Sequence, residues 1–157
     1  MSSSNNQVVK KIDELQHDIV NEFKCLQSNQ DAKLLYIIEL GEKMRTMSAL
    51  GKIDHNLVYG CVSKVWIAYT RKQDRIIFEG DSDASITKGL LSILIKIFSN
   101  QNINDIIAAN LFFIQDIGLL NLIGQQRSFG LASVIKQIKM IAIAQKSKVK
   151  GRKRNKV

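Results

Sequence analysis

The sequence predicts an α+β fold, a short antiparallel sheet packed against several helices. Two observations carry this. Apolar residues recur at steps of two between Cys61 and Glu79, which is a strand period. On both sides of that stretch they recur at steps of three and four, which is a helix period. Strands clustered between helical runs, without regular alternation, are the α+β pattern.

Residues 1–7 are polar and read as an N-terminal extension. The domain proper is expected over 8–145. Val8, Ile12, Leu15, Ile19, Phe23 and Leu26 form the apolar stripe of a first helix. Ser28-Asn29-Gln30-Asp31 ends it and can cap a second helix, which carries Leu34, Leu35, Ile38 and Met44. Gly41 lies inside that second helix, at a cost of roughly 1 kcal/mol relative to Ala, so close packing or an early end is expected there.

Ser48 to Gly60 has no apolar period and reads as a loop leading to Cys61. A strand follows, with Val62, Trp66 and Ala68 on one side, Lys64 intruding there, and Cys61, Ser63, Val65, Ile67 and Tyr69 on the other. Thr70 to Asp74 is turn-like, and Arg75 to Glu79 completes a hairpin. Gly80-Asp81-Ser82-Asp83 is expected to end the hairpin, with Asp83 as N-cap of a helix from Ala84 to Phe98. That helix is apolar nearly all round and belongs in the core. A further helix is expected near Asn104 and another from Leu111 to Ile117, ending at Gly118. Gln125 to Gly130 reads as a glycine-bounded turn carrying Arg127, before a last helix through Leu131, Val134, Ile138 and Ala142.

The chain has 157 residues, 45% of them hydrophobic, enough for one domain with a real core. Its net charge is +9 at pH 7. Seven basic residues and no acid lie in 146–157, so the excess belongs mostly to a basic C-terminal tail, expected to be unstructured. The remaining 16 basic residues face 14 acidic ones. No aromatic residue interleaves with the tail's charges, which argues against nucleic-acid binding. Proline is absent and isoleucine occurs 22 times, a pattern of base composition and not of chemistry. Met1 to Lys11 holds no apolar signal core, and no apolar run is long enough to span a membrane. A soluble, cytoplasmic protein is expected, with both cysteines reduced.

Cys61 is the most informative residue, a thiol between a glycine and a strand at the end of a long loop. The thiolate is the nucleophile, and few thiols are ionised at neutral pH without help. Cys25 sits beside an apolar stripe and reads as structural. His17, Cys25, His55 and Cys61 lack the short paired spacing of a metal site, so no metal is expected. Gly80 to Gly89 is neither a P-loop nor an EF-hand, since Lys88 precedes its glycine and the acidic ligand positions are wrong. Trp66 reads as core, and Arg127 as solvated or paired with an anion.

In order, Leu34-Leu-Tyr-Ile-Ile-Glu-Leu-Gly41, Gly60-Cys-Val-Ser-Lys-Val-Trp66, Gly80-Asp-Ser-Asp-Ala84 with Lys88-Gly-Leu90, and Gly118-Leu119 followed by Arg127 and Gly130-Leu131 resemble the SufE sulfur-acceptor family. The resemblance spans about residues 10–145. It implies a fold similar to iron–sulfur scaffold proteins of the IscU type. It implies that Cys61 accepts sulfur from the persulfide of a SufS-like cysteine desulfurase and passes it to a SufBCD-like scaffold complex. Gly60, Ser63, Trp66, Asp83, Lys88 and Arg127 fall on positions that support this loop. Pyridoxal phosphate would belong to the desulfurase, with no cofactor bound here, and the protein would be a monomer or weak homodimer. The sequence departs from the family in lacking prolines after the second helix, in Val62 and Lys64, and in its basic tail. The rival readings are a cluster scaffold, which needs about three clustered ligands, and a nucleic-acid binder resting on the tail.

Overall fold

In a computed structural model that describes residues 9–154, two antiparallel strands, β1 (Val65–Lys72) and β2 (Arg75–Ser82), form the central hairpin. Val65 pairs with Ser82, and Lys72 with Arg75, around a two-residue turn at Gln73-Asp74. Gln73 takes a φ of 55°, the left-handed conformation that tight hairpins require. A two-residue strand, β3 (Gln101–Asn102), adds to the far edge of β2.

Among the described residues seven α-helices pack around this sheet. They are α1 (Ile12–Lys24), α2 (Gln30–Lys43), α3 (Ser85–Phe98), α4 (Ile103–Ala108), α5 (Phe113–Asp116), α6 (Leu119–Ile123) and α7 (Gln125–Arg154). Asn29 caps α2 by accepting the N–H of Ala32, as its sequence position predicts. Asn102 does the same for α4 through the N–H of Asn104.

The largely apolar helix α3 is the core of the domain. Leu90, Leu91, Ile93, Leu94, Ile97 and Phe98 are all buried. It lies on the buried face of the hairpin, against Ile67, Ile76 and Phe78. On its other side α2 crosses it at Gly41. A Cβ at Gly41 would stand 2.6 Å from the Gly89 nitrogen, so the two backbones touch and no side chain fits between them. The glycine that weakens α2 as an isolated helix is what lets it pack.

Several expectations are corrected here. The first strand begins at Val65, so Cys61 lies in a loop before it. β2 runs on to Ser82, so Gly80-Asp81-Ser82 belong to the hairpin. Asp83 is not the N-cap of α3. That position is Ala84, without a side-chain cap, and the Ala84 N–H reaches the Ser82 hydroxyl instead. Trp66 is half-buried on the face of β1 opposite the core, because α3 covers the Val65 and Ile67 side. α6 was not expected; Gly118 and Gly124, at φ of 66° and 84°, bracket it.

Gln125 to Gly130 is not a turn but the first stretch of α7. The chain breaks one residue earlier, at Gly124. The boundary expected at 145 is not an element boundary either, for α7 continues to Arg154. Gln145 is buried on α7, held by its side-chain N–H to the Tyr69 hydroxyl and by Arg71 to its carbonyl. The N-terminal extension 1–7 and residues 155–157 lie outside the described residues.

Candidate functional site

Cys61 stands at the tip of a short loop whose two limbs are tied together. The Val58 N–H donates to the Val65 carbonyl at 2.8 Å, and Leu57 bridges to Trp66. Gly60 turns the chain with a φ of 95°, a conformation that disfavours any residue with a Cβ. A Cβ there would also collide with the Ser133 side chain on α7. The loop therefore rests directly on α7.

The thiol is half-buried. Its Sγ points toward the Gly130 carbonyl at 3.6 Å. A Cβ on Gly130 would approach that sulfur to 3.4 Å. Gly130 is thus a close-approach residue within a helix, not the turn residue its sequence position suggests. Burial pushes the Cys61 thiol above its ordinary pKa, because the apolar surroundings penalise the thiolate.

Behind the thiol lies a pocket of about 380 Å³. Leu90, Leu91 and Leu94 of α3, Ile123 of α6, and Leu131 and Val134 of α7 line it with aliphatic carbon. Ser63, Thr87, Gln125, Gln126 and Arg127 supply its polar edge. Arg127 is exposed and donates to the Ile123 carbonyl at 3.3 Å, so Cys61, Ser63 and Arg127 share one pocket although they are far apart in sequence.

The remaining expected residues act from a distance. The Asp83 carboxylate accepts the Lys64 N–H at 3.0 Å, and the Asp83 N–H donates to the Lys64 carbonyl. The Ser82 hydroxyl donates to the same carbonyl. Lys64 closes the loop after Cys61, so Asp83 fastens the loop's end. Lys88 does not line the pocket; its Nζ lies 3.4 Å from Asp81. Trp66 lies outside the pocket as well, with Lys52 Nζ 5.7 Å from its ring centre.

Asp81, read from sequence as a turn residue, is the centre of this support. It is 2% exposed and accepts the N–H groups of Met47 and Ser82. Lys52 stands 3.3 Å from it and Lys88 on its other oxygen. Burial alone would raise its pKa, but the Ser82 N–H, Lys52, the Met47 N–H and Lys88 outweigh that and hold it below the ordinary value. The carboxylate therefore pins the long loop over 44–60 to the sheet. The signal that could have found it is the strand period itself, which continues past Glu79.

His55 lies in a 3₁₀ turn (Asp54–Asn56) and does not line the pocket. Cys25 is exposed at the end of α1. Among the described residues no group of three His, Cys, Asp or Glu side chains could hold a metal ion. Among them also, no helix is long and apolar enough to cross a membrane.

Residues 17–142 match the family model described as SufE, an Fe-S metabolism associated domain. An uncharacterized SufE-like protein of Rhizobium meliloti (strain 1021) is 35% identical over 126 residues, covering 77% of this chain and 89% of the relative. A second such protein, from Rhizobium etli, is also 35% identical over 126 residues, covering 77% and 84%. The solution structure of a hypothetical protein from Thermus thermophilus superposes with a TM-score of 0.68 at 12% identity, over 83% of this chain and 94% of that one. That likeness concerns the fold alone.

Proposed function

The chain belongs to the SufE family and so to Fe–S metabolism, and from that premise we propose that it is a sulfur-acceptor protein that carries persulfide sulfur on Cys61. The observation that supports this most is the thiol itself, held on a tied loop with an aliphatic pocket behind it.

The Cys61 thiolate attacks the outer sulfur of a persulfide on a cysteine desulfurase. A new S–S bond forms to Cys61 as the donor's S–S bond breaks. The donor cysteine leaves as a thiolate, and there is no net oxidation. The reaction asks for a thiolate, access and shelter. Burial disfavours the thiolate, so the charged form needs a cation close to the sulfur, and among the described residues Arg127, at the edge of the same pocket, is the one available to supply it. The aliphatic wall keeps reductants from the product. Pyridoxal phosphate cleaves the carbon–sulfur bond in the partner, and this chain binds no cofactor of its own. The sulfur then passes to a scaffold complex for cluster assembly in the cytoplasm.

The test is intact-mass measurement after incubation with a cysteine desulfurase and cysteine, without reductant. The expected result is a gain of one sulfur that maps to Cys61 and is absent in Cys61→Ser. Full sulfur gain or desulfurase stimulation by Cys61→Ser would refute the reading.

A further inference from the structure

Asp116 is the last acidic residue in the sequence. From Ile117 to Val157 there are ten Lys and Arg residues and no Asp or Glu. Nine of the ten lie on α7. The inner face of α7 is packed, with Leu131, Val134, Ile138, Ile141, Ala142 and Gln145 buried. Its outer face is not polar throughout. Phe129 is 62% exposed, Met140 52% and Ile143 45%. With the exposed Ala132 and Lys136 they stand at steps of three and four, which a helix sets in one line. At about 100° per residue that line runs opposite Ile138, on the side turned from the core. Past Gln145 the helix continues to Arg154, roughly 13 Å beyond its packed part. Lys146 and Lys148 there are exposed, whereas Lys139 is bound to the Ile107 carbonyl within the fold.

We propose that the outer face of α7 is a docking surface for a bilayer rich in anionic lipid, with Phe129, Met140 and Ile143 in the interface and the basic end of the helix on the phosphates. Two features select this occupant. The charge is of one sign along the whole helix, which complements an anionic headgroup layer and is offset by no acid of its own. The exposed apolar side chains lie on the same helix as that charge, and firm attachment to a bilayer takes two such signals together. Lys136 interrupts the apolar line, and a fluid headgroup layer accommodates it, because the lysine stem lies along carbon while the ammonium reaches a phosphate. A nucleic acid would use the charge alone and leave Phe129, Met140 and Ile143 in water. No aromatic residue stands among the charges over 146–157 for bases to stack on. The Cys61 pocket takes Arg127, Gly130, Leu131 and Val134 from α7, and none of these lies on the outer line. A bilayer on that line need not cover the pocket, so the surface does not depend on the sulfur-acceptor reading.

The experiment uses the full chain and two kinds of vesicle, phosphatidylcholine alone and a three-to-one mixture of phosphatidylcholine with phosphatidylglycerol. Binding is read by flotation, and entry into the interface by the emission of Phe129→Trp. The expected result is flotation with the mixed vesicles and none with phosphatidylcholine, weakening as salt is raised. Emission of the tryptophan variant moves to shorter wavelength with mixed vesicles, beyond any change in the wild type, which carries Trp66. The variant Phe129→Ser, Met140→Ser, Ile143→Ser alters exposed side chains, and circular dichroism checks that it is folded. It should weaken the Kd about tenfold or more. Lys146→Gln, Lys148→Gln, Lys150→Gln should weaken it as well. No flotation with either vesicle, equal flotation with both, or a serine variant that binds like wild type overturns the proposal. A single-stranded oligonucleotide bound more tightly than the mixed vesicles at the same salt, with no loss in the serine variant, also overturns it and gives the helix to nucleic acid. A wild-type dimer in sedimentation that the serine variant dissolves, without flotation, overturns it in favour of a second copy.

Discussion

The Cys61 sulfur lies 3.6 Å from the carbonyl oxygen of Gly130, at the point where α7 meets the Cys61 loop. A methyl at position 130 would reach close contact with the sulfur at 3.4 Å. Gly130→Ala should therefore separate stability from function. Replacing a helical glycine by alanine raises stability by up to about 1 kcal/mol. The same methyl crowds the space a second sulfur needs, so sulfur acceptance should slow severalfold. A melting temperature at or above wild type, with slower sulfur gain by mass, is the expected pair of readings. An unchanged rate would place the outer sulfur elsewhere in the pocket.

The reactivity of Cys61 should depend on pH in a defined sense. Burial raises its pKa, so half-ionisation needs a pH above the ordinary value of about 8.5. In a Cys25→Ser background, which removes the exposed second thiol, the alkylation rate should rise with pH to a midpoint above that value. In denaturant the midpoint should fall back to it. A native midpoint below the denatured one would mean that a cation, and not burial, governs the thiol.

Asp83 is exposed, and its carboxylate holds the Lys64 N–H. Asp83→Ala should cost less than about 1 kcal/mol of stability, since one exposed hydrogen bond is lost. Its effect should fall on the loop. Alkylation of Cys61 should accelerate severalfold as the loop's end loosens. Equal rates in the variant and wild type would show that the Val58–Val65 pairing alone fixes the tip.

Asp81→Asn should destabilise far more than Asp83→Ala, by about 2 kcal/mol, because charge-assisted hydrogen bonds are lost at a buried site. The pH dependence has a definite sign. The folded-state pKa of Asp81 is depressed, so its contribution is present above the unfolded value of about 3.9 and lost as pH falls through the lower folded value. Urea midpoints should converge for wild type and variant on going from neutral pH to below that range. A constant gap would place the stabilisation in packing and not in charge.

Much of this was legible in the sequence. The period of two marked the hairpin, and the apolar residues on nearly every side of α3 marked the core. Cys61 was recognisable as a presented thiol because glycine and an aperiodic loop precede it. What was not legible depends on contacts between distant segments. Gly130 reads as the end of a turn, yet its use is to admit a sulfur 69 positions away in sequence. Asp81 reads as a turn residue because its cations, Lys52 and Lys88, come from either side of it in the chain. Trp66 reads as core because alternation shows two faces without saying which one α3 will cover.

The contact between Gly41 and Gly89 has a consequence for how this protein can change over generations. A side chain at Gly41 would need the room that the Gly89 backbone fills, and one at Gly89 would run into the Ile37 backbone of α2, so neither position can drift while the helix crossing is kept. Gly89 also follows Lys88, which binds Asp81 and through it the floor of the sulfur-bearing loop. An inherited substitution at Gly41, remote from the thiol, would therefore have to be accommodated at the end of α3 that carries this lysine. Among relatives, glycine should be kept at both positions wherever this helix crossing is kept.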